Sequence, residues 1–279
     1  MTSLVRRLGA AAASAGVARA ATSFVRHRAG EFASWERQHK DGTPVSLTEG
    51  IALSAGVLAG TAVFVPGKAK IGALISVASA SAAGYIDDHK ENDFEAQSKG
   101  FKGHLGALKE GKLTSGTLKI FVVGAGSVLG SLFLERTGTC RWHRLTQWGA
   151  QSVLIAGSAN LINLLDLRPG RAIKAGGAAG LPALFSPNPV HATMGAASLG
   201  AAVACAPEDL KGETMLGDMG ANAFGAGLGV AIASVHNPFI RVLALGDVIG
   251  LTLLSEKYSF TEIIANTPWL NRLDQLGRS

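Results

Sequence analysis

Charge is scarce in this chain: Lys, Arg, Asp and Glu make up only 16% of its 279 residues, whereas 47% are hydrophobic. The apolar residues gather in blocks of about 17 to 21, the length that spans a bilayer, rather than in the narrow stripes of soluble surface helices. A soluble fold of one or two domains is therefore disfavoured. Cysteine is nearly absent. Cys140 and Cys205 lack metal-ligand spacing and are too few for a disulfide framework, so neither a zinc site nor a disulfide scaffold is expected. The 36 glycines follow no triplet period, which excludes collagen. They fall with alanine inside the apolar blocks, where small residues let helices approach closely in lipid. The formal net charge of +6 would suggest nucleic acid in a soluble protein. Here the basic residues lie between apolar blocks, as orientation signals do, and no nucleic-acid partner is expected.

What is present is a series of apolar spans at 46–66, 69–86, 115–134, 147–165, 171–185, 190–206, 219–236 and 238–254. With a weaker stretch at 8–25 they predict an all-α, polytopic transmembrane helical bundle of about 8 to 9 spans. The span 171–185 is short enough to break or tilt. At the N-terminus, Arg6 and Arg7 precede an Ala-rich run as in a cleaved signal peptide, but Arg19 interrupts it and favours an uncleaved helix, spanning or interfacial. The expected organisation is one integral membrane domain over 1–279. It comprises an N-terminal helix with a cytoplasmic segment (1–45), a transmembrane core (46–254) and a cytoplasmic tail (255–279).

Alternating the spans puts the segment 26–45, the loop 87–114, the turn 166–171, the loop 207–218 and the C-terminus on one side. That side holds most of the Lys and Arg, so it is expected to be the cytoplasmic face of the cell (inner) membrane, with Cys140 and Pro238 outside.

Four polar motifs fall at these cytoplasmic ends. Lys40 to Pro44 forms a basic Lys-Asp-Gly-Thr-Pro segment. Asp87 and Asp88 close an apolar helix; such a pair reads either as a Mg²⁺ or proton-handling site or as a solvated helix end. Asn160, Asn163 and Asp166 lie three residues apart on one helix face, where buried amides need partners. Arg168 and Arg171 follow them, and Arg forks suit phosphate oxygens or uracil carbonyls. Asp218 opens another span between glycines that allow close backbone approach, at a helix start that favours an anion. Lys102 and His104 lie in a basic stretch of the long loop, either against phosphate or on the surface. The glycine runs at 124–131 and 225–229 have no preceding strand and read as helix packing. Asp247, inside the last span, reads as a helix–helix hydrogen bond or a pair with a basic residue.

Taken in order over residues 36 to 236, these motifs resemble the polyprenyl-phosphate N-acetylhexosamine-1-phosphate transferase superfamily, which includes phospho-MurNAc-pentapeptide transferase. In that family a basic Thr-Pro loop, a tandem Asp, an Asn-x-x-Asn-x-x-Asp segment and a Gly-Asp-x-Gly segment follow one another. Lys40 to Pro44, Asp87 and Asp88, Asn160 to Asp166, and Asp218 match in turn. The resemblance implies a Mg²⁺-dependent enzyme of cell-envelope assembly that moves a sugar-1-phosphate from a UDP-sugar to a polyprenyl phosphate and releases UMP. It further implies that Asp218 and Asp166 hold the metal, that Asp87 or Asp88 orients or deprotonates the acceptor, and that Asn160 and Asn163 fix the donor. Lys40, Lys102, His104, Arg168 and Arg171 are the remaining expected contacts to substrate.

The chain departs from the family in three places. Leu167 to Gly170 stand where many members have Gly-Leu-Asp-Gly, Glu91 stands where the muramoyl enzymes have Lys, and no His-rich arm separates the last spans. A rival expectation is a catalytically silent relative that binds a lipid phosphate, a nucleotide-sugar or an envelope-assembly partner. A transporter would instead place polar groups near the midplane. Whether the chain pairs with itself stays open.

Overall fold

The computed structural model describes residues 3–38, 42, 44–90, 100–112, 114–138 and 140–278. Helix accounts for 80% of the residues. In chain order the elements are α1 (Ser3–His27), a 3-10 turn (Ala29–Trp35), a hairpin of β1 (Glu36–Gln38) and β2 (Pro44–Ser46), α2 (Glu49–Phe64), α3 (Ala69–Lys90) and α4 (Gly100–Lys109). Then come α5 (Ser115–Ser131), α6 (Arg141–Leu165), α7 (Arg171–Gly180) running into a 3-10 turn (Leu181–Phe185), α8 (Pro189–Leu210), α9 (Gly217–Ala233) and α10 (Pro238–Ser255). Two short helices, α11 (Phe260–Asn266) and α12 (Pro268–Gln275), complete the chain.

Local sequence sets several of these boundaries. Asn188 and Asn237 each precede a proline, and each side chain accepts hydrogen bonds from the backbone N–H groups two and three residues on. This joins an N-cap acceptor to a residue that needs no donor at the first helical position. The span expected at 171–185 does break: α7 ends at Gly180 and a tighter 3-10 turn follows.

Helix α9 is the axis of the bundle, packed on α2, α3, α6 and α8 and buried on almost every side. Its glycines explain how. A Cβ on Gly225 would stand 2.6 Å from the Cα of Ala159, and one on Gly229 would stand 2.7 Å from the Cα of Ile155, so α6 lies directly against the α9 backbone. The 225–229 glycine run is therefore a packing surface, as its place inside a span suggested. In the 124–131 run, Gly126 and Gly130 face Ser79 and Ser76 of α3 in the same way.

Four helices, α1, α3, α8 and α10, are long and apolar enough to cross a membrane, which points to a membrane protein; α2 and α5 are apolar but shorter. Helix α1 belongs to the bundle, packed along α2 and α8. Its Arg7 donates to the carbonyls of Leu184 and Ser186 at 2.7 and 2.6 Å, and Arg19 donates to Glu208 at 2.7 Å, so it runs the full length of α8.

Candidate functional site

One end of the bundle gathers nearly all the polar motifs. The carboxylate of Asp88, at the end of α3, accepts hydrogen bonds from the backbone N–H groups of Asp218 and Met219 at 3.0 and 2.9 Å. These are free donors of the first turn of α9, so Asp88 caps that helix and ties two motifs about 130 residues apart to one point. Gly84 allows the approach, because a Cβ there would overlap the backbone of Asp218 and Met219.

With the helix ends joined, three side chains converge on Lys119 of α5. Its ammonium pairs with Asp87 and lies 2.6 Å from the carboxylate of Asp218. Asn163, with its amide nitrogen toward Asp218, donates to that carboxylate at 2.9 Å and accepts from Lys119 at 3.2 Å. Asn222, buried on α9, donates to the carbonyl of Asp218 at 2.7 Å. The tandem Asp, the Asn segment and the Gly-Asp segment thus meet in one hydrogen-bonded cluster.

Lys119, Asp87 and Asn163 line a cavity of about 370 Å³ between α5, α6 and α10. Asn160 lies further along its wall, with Ile120, Val123, Ala156 and Leu164 as apolar lining and Glu256 at its edge. From Ser115 to Gly124 the lining follows α5 for about 13 Å into the bundle. Polar groups at one end and an apolar wall behind them suit an amphiphile with a charged head.

The donor set also suits a hard cation. Asp87 and Asp218 present carboxylate oxygens around one point, and the Lys119 ammonium stands there as a positive charge. Among the described residues no three acid, His or Cys side chains form a ready ligand set. Mg²⁺ needs fewer, since one or two carboxylates and the oxygens of a bound phosphate are its usual ligands.

The other expected residues fall elsewhere. Asp166 is buried behind the cluster and neither oxygen makes a hydrogen bond of ordinary geometry. Burial, and then the charge of nearby Asp209, holds its carboxyl well above the usual carboxylate range. Arg171 is committed to the tail: its guanidinium donates to both oxygens of Asp274 at 2.8 and 3.1 Å and to Thr261 at 3.0 Å. Arg168 is partly exposed on the same turn. Lys40 lies outside the described residues, as do the side chains of Lys102 and His104. The hairpin flanking Lys40 is nevertheless anchored beside the site, with Arg37 donating to the Asp88 carbonyl and the Trp35 ring edge-on to His89 at 4.2 Å.

Sequence reasoning missed Lys119, which reads as one more basic orientation signal. The clue was its place: four residues inside an apolar helix, a lysine has to face something charged.

The Arg171–Asp274 pair is deeply buried, and Arg278 adds a contact to Asp274 at 3.3 Å. Burial alone would raise the Asp274 carboxyl, but the hydrogen bonds and charge of Arg171, then the charge of Arg278, outweigh it and depress it. A depressed carboxylate stabilises docking above its unfolded pKa and loses that contribution as pH falls through the folded value. The tail should therefore stay docked at neutral pH and release only in acid. Arg171→Ala should destabilise the docked tail by about 3 kcal/mol, the lower end for a broken buried pair because Arg278 remains. Faster tryptic cleavage at exposed Lys257 at pH 7 is the measurement; an unchanged rate would show that the pair does not hold the tail.

No protein-family model matches the chain, and comparison with curated proteins finds no match either.

Proposed function

We propose that this protein transfers a sugar-1-phosphate from a UDP-sugar to a polyprenyl phosphate at the cytoplasmic membrane face, releasing UMP. The observation that carries the reading is the convergence of Asp87, Asn163 and Asp218, from three motifs far apart in sequence, on Lys119 at the head of a cavity with apolar walls. Both substrates are anions, so their approach needs fixed positive charge. Lys119 is the cavity's own cation, and on meeting a phosphate it exchanges carboxylate partners for phosphoryl oxygens. Mg²⁺, held by Asp218 and Asp87, would screen the pyrophosphate and stabilise charge on the leaving UMP. Asn163 and Asn160 orient the donor by hydrogen bonds. The apolar wall receives the first isoprene units, and Asp88 acts by fixing the start of α9 rather than by touching substrate.

The same reading runs nine helices between two faces, namely α1, α2, α3, α5, α6, α7 with its 3-10 turn, α8, α9 and α10. The Lys119 cluster is then cytoplasmic and Cys140 external. Cys140 is exposed and Cys205 buried, so the native chain carries its own reporter. A membrane-impermeant maleimide added to intact cells should label Cys140 alone. Labelling only after lysis would reverse the orientation.

A second reading is favoured by one observation: Lys119 already neutralises both carboxylates, as in a silent relative that binds a lipid phosphate without turnover. Membranes containing the protein, supplied with polyprenyl phosphate, Mg²⁺ and a panel of UDP-sugars, separate the two. UMP release with a new lipid supports the enzyme; binding without UMP supports the silent protein.

A further inference from the structure

A second cavity, of about 250 Å³, lies where the end of α1 and the 3-10 turn meet the hairpin, the start of α2 and the end of α8. It shares no lining residue with the cavity at Lys119. Four carboxylates line it, those of Glu36, Glu49, Glu208 and Glu213, against one guanidinium, that of Arg26. Two of the four are answered within the fold. Arg19 lies 2.7 Å from Glu208, Arg26 bridges Glu208 and Glu213 at 3.3 and 3.2 Å, and Lys211 stands 3.9 Å from Glu213. Among the described residues no cation pairs with Glu36 at the rim or with Glu49 inside. Glu49 is the telling one. It is only 5% exposed; one oxygen accepts from the hydroxyl of Thr214, and the other has no hydrogen-bond partner. A carboxylate withdrawn from water in that state is destabilising unless a donor reaches it.

The hydroxyls around Glu49 have their hydrogens in use. Thr214 donates to Glu49 itself, Thr22 donates to the carbonyl of Ala18 at 3.0 Å, and Ser46 and Thr48 share a hydrogen bond at 3.0 Å. What they keep for a ligand is chiefly lone pairs. The polar part of the wall is therefore mostly acceptor, carboxylate and hydroxyl together, and Val25, Ala29 and Phe32 supply an apolar part. Such a wall is complementary to a group that is positive, donates N–H bonds and carries a short carbon chain. A bare metal ion suits it less, because among the described residues no three acid, His or Cys side chains form a ligand set and the space is larger than one ion fills.

We propose that this cavity binds a primary ammonium group, with its N–H donors on Glu49 and the hydroxyls of Thr22 and Thr214 and its carbon chain against Val25 and Phe32. The same chemistry has two sources, a free aliphatic amine and the headgroup of an ethanolamine lipid. Binding of this kind does not depend on sugar-phosphate transfer at the other cavity. It does bear on the fold beside it. Ser46 donates its backbone N–H to the carbonyl of Glu213 at 3.2 Å and accepts from that of Met215 at 2.9 Å, and Thr214 lies four residues before Asp218. A ligand held between Glu49 and Thr214 therefore steadies the segment that leads into α9.

The test uses the full chain purified in bilayer discs of phosphatidylcholine, with putrescine as the free amine and tetramethylammonium, which has the charge but no N–H, as its control. Putrescine should bind saturably by calorimetry and raise the midpoint of thermal unfolding, and tetramethylammonium at equal ionic strength should do neither. Glu49→Gln should weaken putrescine binding about 30-fold or more, the scale of losing one partner of a buried charge pair. Thr22→Val, which keeps the shape of the side chain and every carboxylate, should weaken it about ten-fold, the scale of one hydrogen bond to a charged group. Stabilisation that appears only when phosphatidylethanolamine replaces part of the phosphatidylcholine, and that both variants lose, would make the lipid headgroup the source of the ammonium. No response of the unaltered chain to either source, an equal response to tetramethylammonium, or undiminished binding in both variants would each overturn the proposal.

Discussion

Asp218→Asn is expected to lower sugar-phosphate transfer by about 10² or more while the protein stays folded, the scale seen when one preorganised charge is removed from a site that stabilises a charged transition state. Asp218 holds the ammonium of Lys119 at 2.6 Å and the amide of Asn163 at 2.9 Å, and the amide variant keeps the size and some of the hydrogen bonding but not the charge. Asp87→Asn should cost a similar factor, because Asp87 is the other carboxylate on Lys119. The two losses should not add, since both variants disturb one shared cluster. Turnover is measured across a Mg²⁺ titration. Wild-type rates for both variants at every concentration would sink the proposed site and leave the silent-protein reading as the better one.

The second large effect comes from a residue with no functional group. Gly84→Ala inserts a Cβ where α3 touches the backbone of Asp218 and Met219, and that backbone has no flexible side chain to move aside. The start of α9 must shift, drawing Asp218 away from Asp87 and loosening the hydrogen bonds that Asp88 makes to it. Overpacking of this kind costs about 1–3 kcal/mol of stability. A displacement near 1 Å at reacting groups costs about 10² in rate, so turnover should fall far more than folding does. Gly149→Ala is the control, because its Cβ position is open. Equal turnover in the two variants would show that the α3–α9 contact does not position the site.

Much of the architecture is legible in the sequence because bilayer-length apolar blocks leave the chain little choice. Expected spans at 69–86, 190–206 and 238–254 correspond to α3, α8 and α10, and Pro238 opens α10 where the last two spans were expected to part. The extra turn of α3 is not legible: it carries Asp87 to Lys90 beyond the apolar block, and only Asp88 capping α9 explains why helix continues there. Helices α11 and α12 are equally hidden, since their order depends on Asp274 meeting Arg171 across about 100 residues. At the site, motif order alone brings Asp87, Asn163 and Asp218 to one end of the bundle. It does not distinguish a side chain facing substrate from one holding the fold together, which is why Arg171 and Lys119 exchange the roles their neighbourhoods suggest.

The packing of α1 along α8 has a consequence for biosynthesis. The pair Arg19–Glu208 joins residues 189 positions apart, and Ala10 is buried against Ala196 and Ala197. At about 5–20 residues per second, the first helix made therefore waits about ten seconds or longer for the partner that covers its arginines and small-residue face. Through that interval α1 has α2 as its main packing partner among the described residues, and its Arg7 and Arg19 still lack Leu184, Ser186 and Glu208. The contacts between α1 and α8 can thus form only late in synthesis, after all the helices between them have been made.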